Sequence, residues 1–150
     1  MIRVVPDTNV LLKGFVSARN QERKLINLAL AGKLVLYGSP ATFEEYKEKI
    51  RIDRIKAFYP NKHLSVERME NLYSSVVTLI PTSTINLPDG TCDDPDDEEF
   101  IRVALASGSK LVISLDKDLL RIKQHDGIRF IKPEVFISSF ANARGGALYR

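Results

Sequence analysis

Apolar residues in this chain gather in short, nearly unbroken runs, and that constrains the fold more than any other feature. Ile2 to Pro6, Leu34 to Tyr37, Leu111 to Leu115 and Ile128 to Ile131 are each four or five residues long, with β-branched or aliphatic residues on both parities. A strand with one face in water alternates apolar with polar side chains, whereas a strand covered on both faces does not need to. Pro6 sits where the first run would stop, and Gly38-Ser39-Pro40 closes the second.

Helical spacing fills the intervals. Leu25, Leu28 and Ala29 fall at i, i+3 and i+4 ahead of Gly32, a residue suited to ending a helix. Ser39-Pro40 opens a second helix with Phe43, Tyr46 and Ile50 on one side. Val66, Met69, Leu72, Tyr73 and Val76 make a further stripe. Phe100, Val103 and Ala104 begin another helix, which ends at Ala106-Ser107-Gly108, and Val135 to Phe140 suggests a last short one after Pro133. Strands alternating with helices predict an α/β fold with a central, mostly parallel sheet of four or five short strands flanked by helices.

The 150 residues suit one domain. Residues 1–140 are expected to form it, and 141–150, with Gly145-Gly146, a flexible tail. No apolar run approaches the roughly 20 residues needed to span a bilayer, so no membrane is expected. Met1 to Val5 leads into a strand pattern without a signal-peptide layout, and Cys92 is the only cysteine, which rules out an internal disulfide. A cytoplasmic protein is the expectation.

In open α/β sheets the functional crevice lies beyond the carboxyl ends of the strands. Asp7 follows the first run and Asp116 the third, while Asp94, Asp96 and Asp97 open the helix ahead of that third run. Glu45, beside Glu44, lies about one and a half turns into its helix. Carboxylates gathered in one place repel one another and raise their own pKa values unless a cation is present. An all-oxygen donor set suits hard ions such as Mg²⁺ and Mn²⁺. A pair of such ions about 4 Å apart can activate water and stabilise the leaving oxygen of a phosphodiester. Cys92, His63 and His125 lack zinc-ligand spacing.

Ordinary roles compete for the same residues. Asp94-Pro95 followed by acids is how many helices begin, Asp116 can be a cap, Asp7-Thr8-Asn9 can be a turn into a helix, and Glu45 can be a solvated charge. Two other enzyme or signalling classes also place an aspartate after the first strand. A haloacid-dehalogenase-type phosphatase wants a second Asp where this chain has Asn9, and a receiver domain wants adjacent acids where Asp7 stands alone.

Taken in order, Asp7-Thr8-Asn9-Val10-Leu11-Leu12, Ser39-Pro40 through Glu44-Glu45-Tyr46, Asp94-Pro95-Asp96-Asp97, and Val112-Ile113-Ser114-Leu115-Asp116-Lys117-Asp118-Leu119-Leu120 resemble the PIN-domain nucleases, in particular their toxin-like, VapC-like branch. The resemblance spans residues 2 to 137. It implies Asp7, Glu45, Asp97 and Asp116 as catalytic, metal-holding acids, with Ser114 as a supporting hydroxyl and Asn9 a polar neighbour; Glu44 and Glu45 remain interchangeable by a slip of one residue. Asp94 is either a cap or a supporting group. The resemblance further implies a metal-dependent ribonuclease, commonly dimeric, and suggests an antitoxin partner.

A polyanionic substrate agrees with the charges. The chain carries 22 Lys and Arg against 19 Asp and Glu, and four acids occupied by metal would leave a clear basic excess. Arg51, Arg54, Lys56 and Lys62 are the candidates for holding an RNA backbone. Tyr46 and Tyr73, interleaved with these charges, sit in apolar stripes and are expected to be buried. Single-stranded RNA is favoured over duplex, because a flexible strand can enter a recessed pocket. The alternatives are a housekeeping RNA-processing nuclease and a catalytically silent module that binds RNA or protein.

Overall fold

All four apolar runs become strands, and two short strands join them. The computed structural model describes residues 1–52 and 65–142. In chain order the elements are β1 (Ile2–Pro6), α1 (Thr8–Val16), α2 (Gln21–Leu30), β2 (Leu34–Gly38), α3 (Pro40–Ile50), α4 (Val66–Val76), β3 (Val77–Leu79), α5 (Pro95–Ser107), β4 (Leu111–Ile113), α6 (Lys117–Ile122), β5 (Gln124–His125), β6 (Ile128–Ile131) and α7 (Pro133–Asn142). The strand order is β3-β2-β1-β4-β6-β5, parallel except for the β5–β6 pair.

The sheet is the middle layer, and its two parities feed two separate cores. Ile2, Val4, Leu34, Leu36, Leu111 and Ile113 point to the face covered by α1, α2, α3, α4 and α7. Val5, Val112, Ile128 and Phe130 point to the other, under α5 and α6. Both faces are covered over most of the central strands, with Arg3 and Arg129 exposed, which is why the strands read as nearly continuous apolar runs.

Local chemistry sets the helix ends. Asn20 caps α2, accepting from Arg23 N at 2.8 Å. Ser39 caps α3 with Pro40 behind it, and Thr42 bonds back to the Ser39 N–H at 2.8 Å. Asp94 caps α5, and Gly108, at φ 71°, ends it. Close approach also demands glycine at position 38. A Cβ there would lie 2.5 Å from Tyr73 Oη, which crosses the end of β2 to meet Thr42 Oγ1 at 3.1 Å. Tyr73 and Tyr46 are buried, as their stripes predict, and Tyr46 Oη donates to Met69 O at 2.6 Å, tying α3 to α4.

The expected strand at 111–115 ends at Ile113, although Ser114 N still donates to Ile131 O at 3.0 Å. Helix α7 begins at Pro133 and runs to Asn142, two residues past the expected tail boundary. Residues 143–150 lie outside those described. No helix among the described residues is long and apolar enough to cross a membrane.

Candidate active site

From β1 the chain runs to β2 and β3 on one side, and the later strands β4 and β6 lie on the other. The order reverses between β1 and β4, the position at which an α/β sheet opens a crevice at its carboxyl edge. Asp7 is the residue after β1, and its N–H extends the ladder by donating to Ile113 O at 2.9 Å.

Asp7 is 4% exposed, and its carboxylate is held from three directions. Val10 N donates to Oδ1 at 2.9 Å, which makes Asp7 the cap of α1. Leu115 N donates to Oδ2 at 3.1 Å, and the fully buried Ser114 hydroxyl donates to the same oxygen. Ser114 Oγ in turn accepts from Asp116 N at 2.9 Å. Burial pushes the Asp7 carboxyl above the ordinary aspartate value; the Ser114, Val10 and Leu115 hydrogen bonds and the charge of Lys49 work against that rise.

Around this floor stand the other three acids. Asp7, Glu45, Asp97 and Asp116 line one cleft, together with Thr8, Asn9, Lys49, Phe100 and Leu119. The cleft is small, with a cavity volume of about 20 Å³, and it opens to solvent. Four elements deliver the acids: the end of β1, the middle of α3, the first turn of α5 and the cap of α6. Thr8 Oγ1 donates to Glu45 Oε2 at 2.8 Å, fixing α3 against α1. Glu44 is turned outward and pairs with Lys47 at 2.5 Å, whereas Glu45 is the glutamate that lines the cleft.

Electrostatically the rim is strained. Burial, then the charges of Asp116, Asp94, Asp118 and Glu45, push the Asp97 carboxyl up to about 7. Asp94 itself is exposed and caps α5, accepting from Asp96 N at 3.0 Å, so it acts on the cleft through its charge. Asp116 both lines the cleft and caps α6, accepting from Asp118 N at 2.8 Å. Cap and site residue are thus compatible roles. Asn9 is exposed at the mouth, where its Oδ1 accepts from Lys49 Nζ at 3.5 Å.

The donor set fits a hard divalent cation: it is all oxygen, rich in negative charge, and destabilised without a counter-ion. Among the described residues, no three acidic, histidine or cysteine side chains stand close enough together to hold a metal ion between them. Mg²⁺ and related ions keep several waters and take few carboxylates directly. Burial and the charges of Asp97, Glu98 and Asp93 push the Cys92 thiol up to about 11, and Cys92 is not among the residues that line this cleft.

Other members of the acidic run have structural work. Glu99 accepts from Ser39 Oγ at 2.5 Å and Thr82 Oγ1 at 2.8 Å, and Glu98 accepts from Cys92 N at 3.2 Å. They fasten the 80–94 segment to α5 and to the start of α3. Of the proposed RNA contacts, Arg51 ends α3 and is engaged with Glu70 Oε1 at 2.5 Å. Arg54, Lys56 and Lys62 lie outside the described residues.

Two residues at the cleft escape the sequence reading. Thr8 carries no signal beyond its place beside Asp7. Lys49 goes unremarked there, although its spacing of four from Glu45 on an amphipathic helix is a usable sign.

Comparison with known proteins agrees with this geometry. Residues 3–118 match the family model described as PIN domain. An uncharacterized protein of Methanocaldococcus jannaschii is 28% identical over 125 residues, covering 83% of this chain and 77% of its own.

Proposed function

The chain belongs to the PIN domain family, and on that premise we propose that it is a divalent-metal-dependent endoribonuclease acting on single-stranded RNA. One observation carries this reading: four carboxylates from separate elements line a single cleft at the sheet's switch point, with Asp97 pushed up to about 7. PIN domains are in general nucleases, and the finer assignment to RNA rests on the recessed cleft and the basic excess of the chain.

Asp7, Glu45, Asp97 and Asp116 would hold Mg²⁺ or Mn²⁺. Such an ion supplies Lewis acidity toward a phosphate oxygen and makes water a better nucleophile near neutral pH. Asp7 gives the cleft a fixed oxygen anchor, because three hydrogen bonds leave its carboxyl group little freedom. Ser114 spans Asp7 and the Asp116 backbone, setting the spacing of the two acids. Thr8 holds one oxygen of Glu45 and leaves the other facing the cleft and Lys49. Asp97, the acid most stressed by its neighbours, gains most from a cation. Cleavage is an in-line attack by water on phosphorus with departure of the ribose oxygen, and no protein nucleophile is used.

Labelled single-stranded RNA incubated with the full chain and Mn²⁺ tests this, with a chelator arm and an Asp97→Asn arm. Cleavage that survives chelation would overturn it. RNA binding without cleavage, indifferent to chelator, would favour the silent binding module. A cytoplasmic homodimer is the proposed setting. Toxin and housekeeping roles share this chemistry and separate in cells: growth arrest on expression, relieved by Asp97→Ala and by a co-expressed neighbouring small protein, marks the toxin.

A further inference from the structure

The acid cleft contains a cation of its own. Lys49 lines it, with Nζ 3.7 Å from Glu45 Oε1 and 3.5 Å from Asn9 Oδ1. Both contacts are long for an ammonium, and the side chain is 32% exposed. A flexible four-carbon stem lets such a group exchange one partner for another at little cost. Its neighbour on α3 behaves differently: Lys47 pairs with Glu44 at 2.5 Å and lies over the Phe43 ring, away from the acids.

Charge balance gives Lys49 its task. Two divalent ions would only cancel the four carboxylates of the cleft, and an entering phosphodiester brings a further negative charge. Among the described residues Lys49 is the cationic side chain lining that cleft. Resting on the nuclease reading above, we propose that Lys49 is a phosphate-contacting residue that doubles as the cleft's built-in counter-ion. Without a divalent ion it shields Glu45 and Asp7. When the site is loaded it gives up Glu45 and turns its ammonium to a non-bridging oxygen of the RNA phosphate.

The test compares the parent with Lys49→Met, Lys49→Arg and Lys47→Met. Mn²⁺ binding is measured by calorimetry, and binding of single-stranded RNA in Ca²⁺ by fluorescence anisotropy across a salt series. Lys49→Met should bind Mn²⁺ about fivefold more tightly, the factor that corresponds to losing one partly exposed ion pair as competitor. Its RNA affinity should fall, with the slope of log K against log salt shallower by about 0.7, one phosphate contact fewer. Lys49→Arg should retain the parental slope, and Lys47→Met should match the parent in both readouts. Unchanged Mn²⁺ affinity and slope in Lys49→Met overturn the inference. Tighter Mn²⁺ binding with an unchanged slope overturns the phosphate contact. A parent that binds no Mn²⁺ overturns the nuclease reading itself, and this inference with it.

Discussion

Asp7 and Asp97 belong to one cleft, yet the fold treats them in opposite ways. Asp7 is nearly sealed from solvent, and its carboxylate accepts three hydrogen bonds. Asp97 is part-exposed, and what acts on it is burial and the charges of four other acids rather than any donor among the described residues. The floor of the cleft is therefore built by the fold, whereas the rim is left in tension. A rigid floor fixes where a ligand sits; a strained rim makes a cation's arrival favourable.

Activity should hide this contrast and stability should expose it. Both Asp7→Ala and Asp97→Ala are expected to reduce RNA cleavage by about 10²- to 10³-fold, the usual scale for losing one preorganised electrostatic group. Equal activity in either variant and the parent would break the comparison at its root. Ser114→Ala comes next. It removes the hydroxyl between Asp7 and the Asp116 backbone, and Mn²⁺ affinity measured by calorimetry should fall about tenfold while all four acids remain.

Denaturant unfolding sharpens the difference. Asp7→Ala should destabilise by about 2 kcal/mol, because it strips the cap from α1 and leaves the Leu115 N–H without its acceptor. Asp97→Asn should leave stability equal or higher above pH 7, since the repulsion goes with the charge. A loss for Asp97→Asn as large as that for Asp7→Ala would erase the distinction between floor and rim.

Protonation gives the same contrast a direction. Asp97 holds its proton up to about pH 7 when folded, against an ordinary value of 3.8. Between about pH 4 and 7 the folded chain keeps a proton that the unfolded chain has released, so metal-free stability declines as pH rises through that window and levels off above it. The Asp97→Asn chain should lack that part of the decline, and a melting series over pH reads the difference. Asp7, also raised, adds in the same sense in both proteins. The smallest effect is expected for Glu44→Gln, which should leave cleavage unchanged, because Glu44 faces solvent and Lys47.

Much of this was legible in the residues. Runs apolar on both parities gave the four main strands, because a sheet covered on both faces needs no alternation. Ser39-Pro40, Asp94-Pro95 and Gly108 gave helix ends, because capping chemistry is local. What escaped was non-local or lacked punctuation. Val77-Thr78-Leu79 continues the stripe of α4 without a turn residue between them, so the edge strand β3 merged with the helix. Gln124-His125 is two residues long and exists through its antiparallel pairing with Ile128 and Arg129. In the cleft, acids at element ends were visible, but the orientation of Lys49 and the hydroxyl of Thr8 depend on how α1 and α3 pack. The choice between Glu44 and Glu45 has the same origin, since both occupy one helix and only its rotation decides.

The pairing of Val5 with Val112 and Pro6 with Ile113 also sets a timetable. Translation delivers the first strand long before its central neighbour, and domains assemble from what has already left the ribosome. Until Ser114 and Asp116 emerge, Asp7 has neither its hydroxyl support nor its partner acid. A nascent copy of this protein therefore cannot assemble its four-acid cleft before Asp116 has emerged.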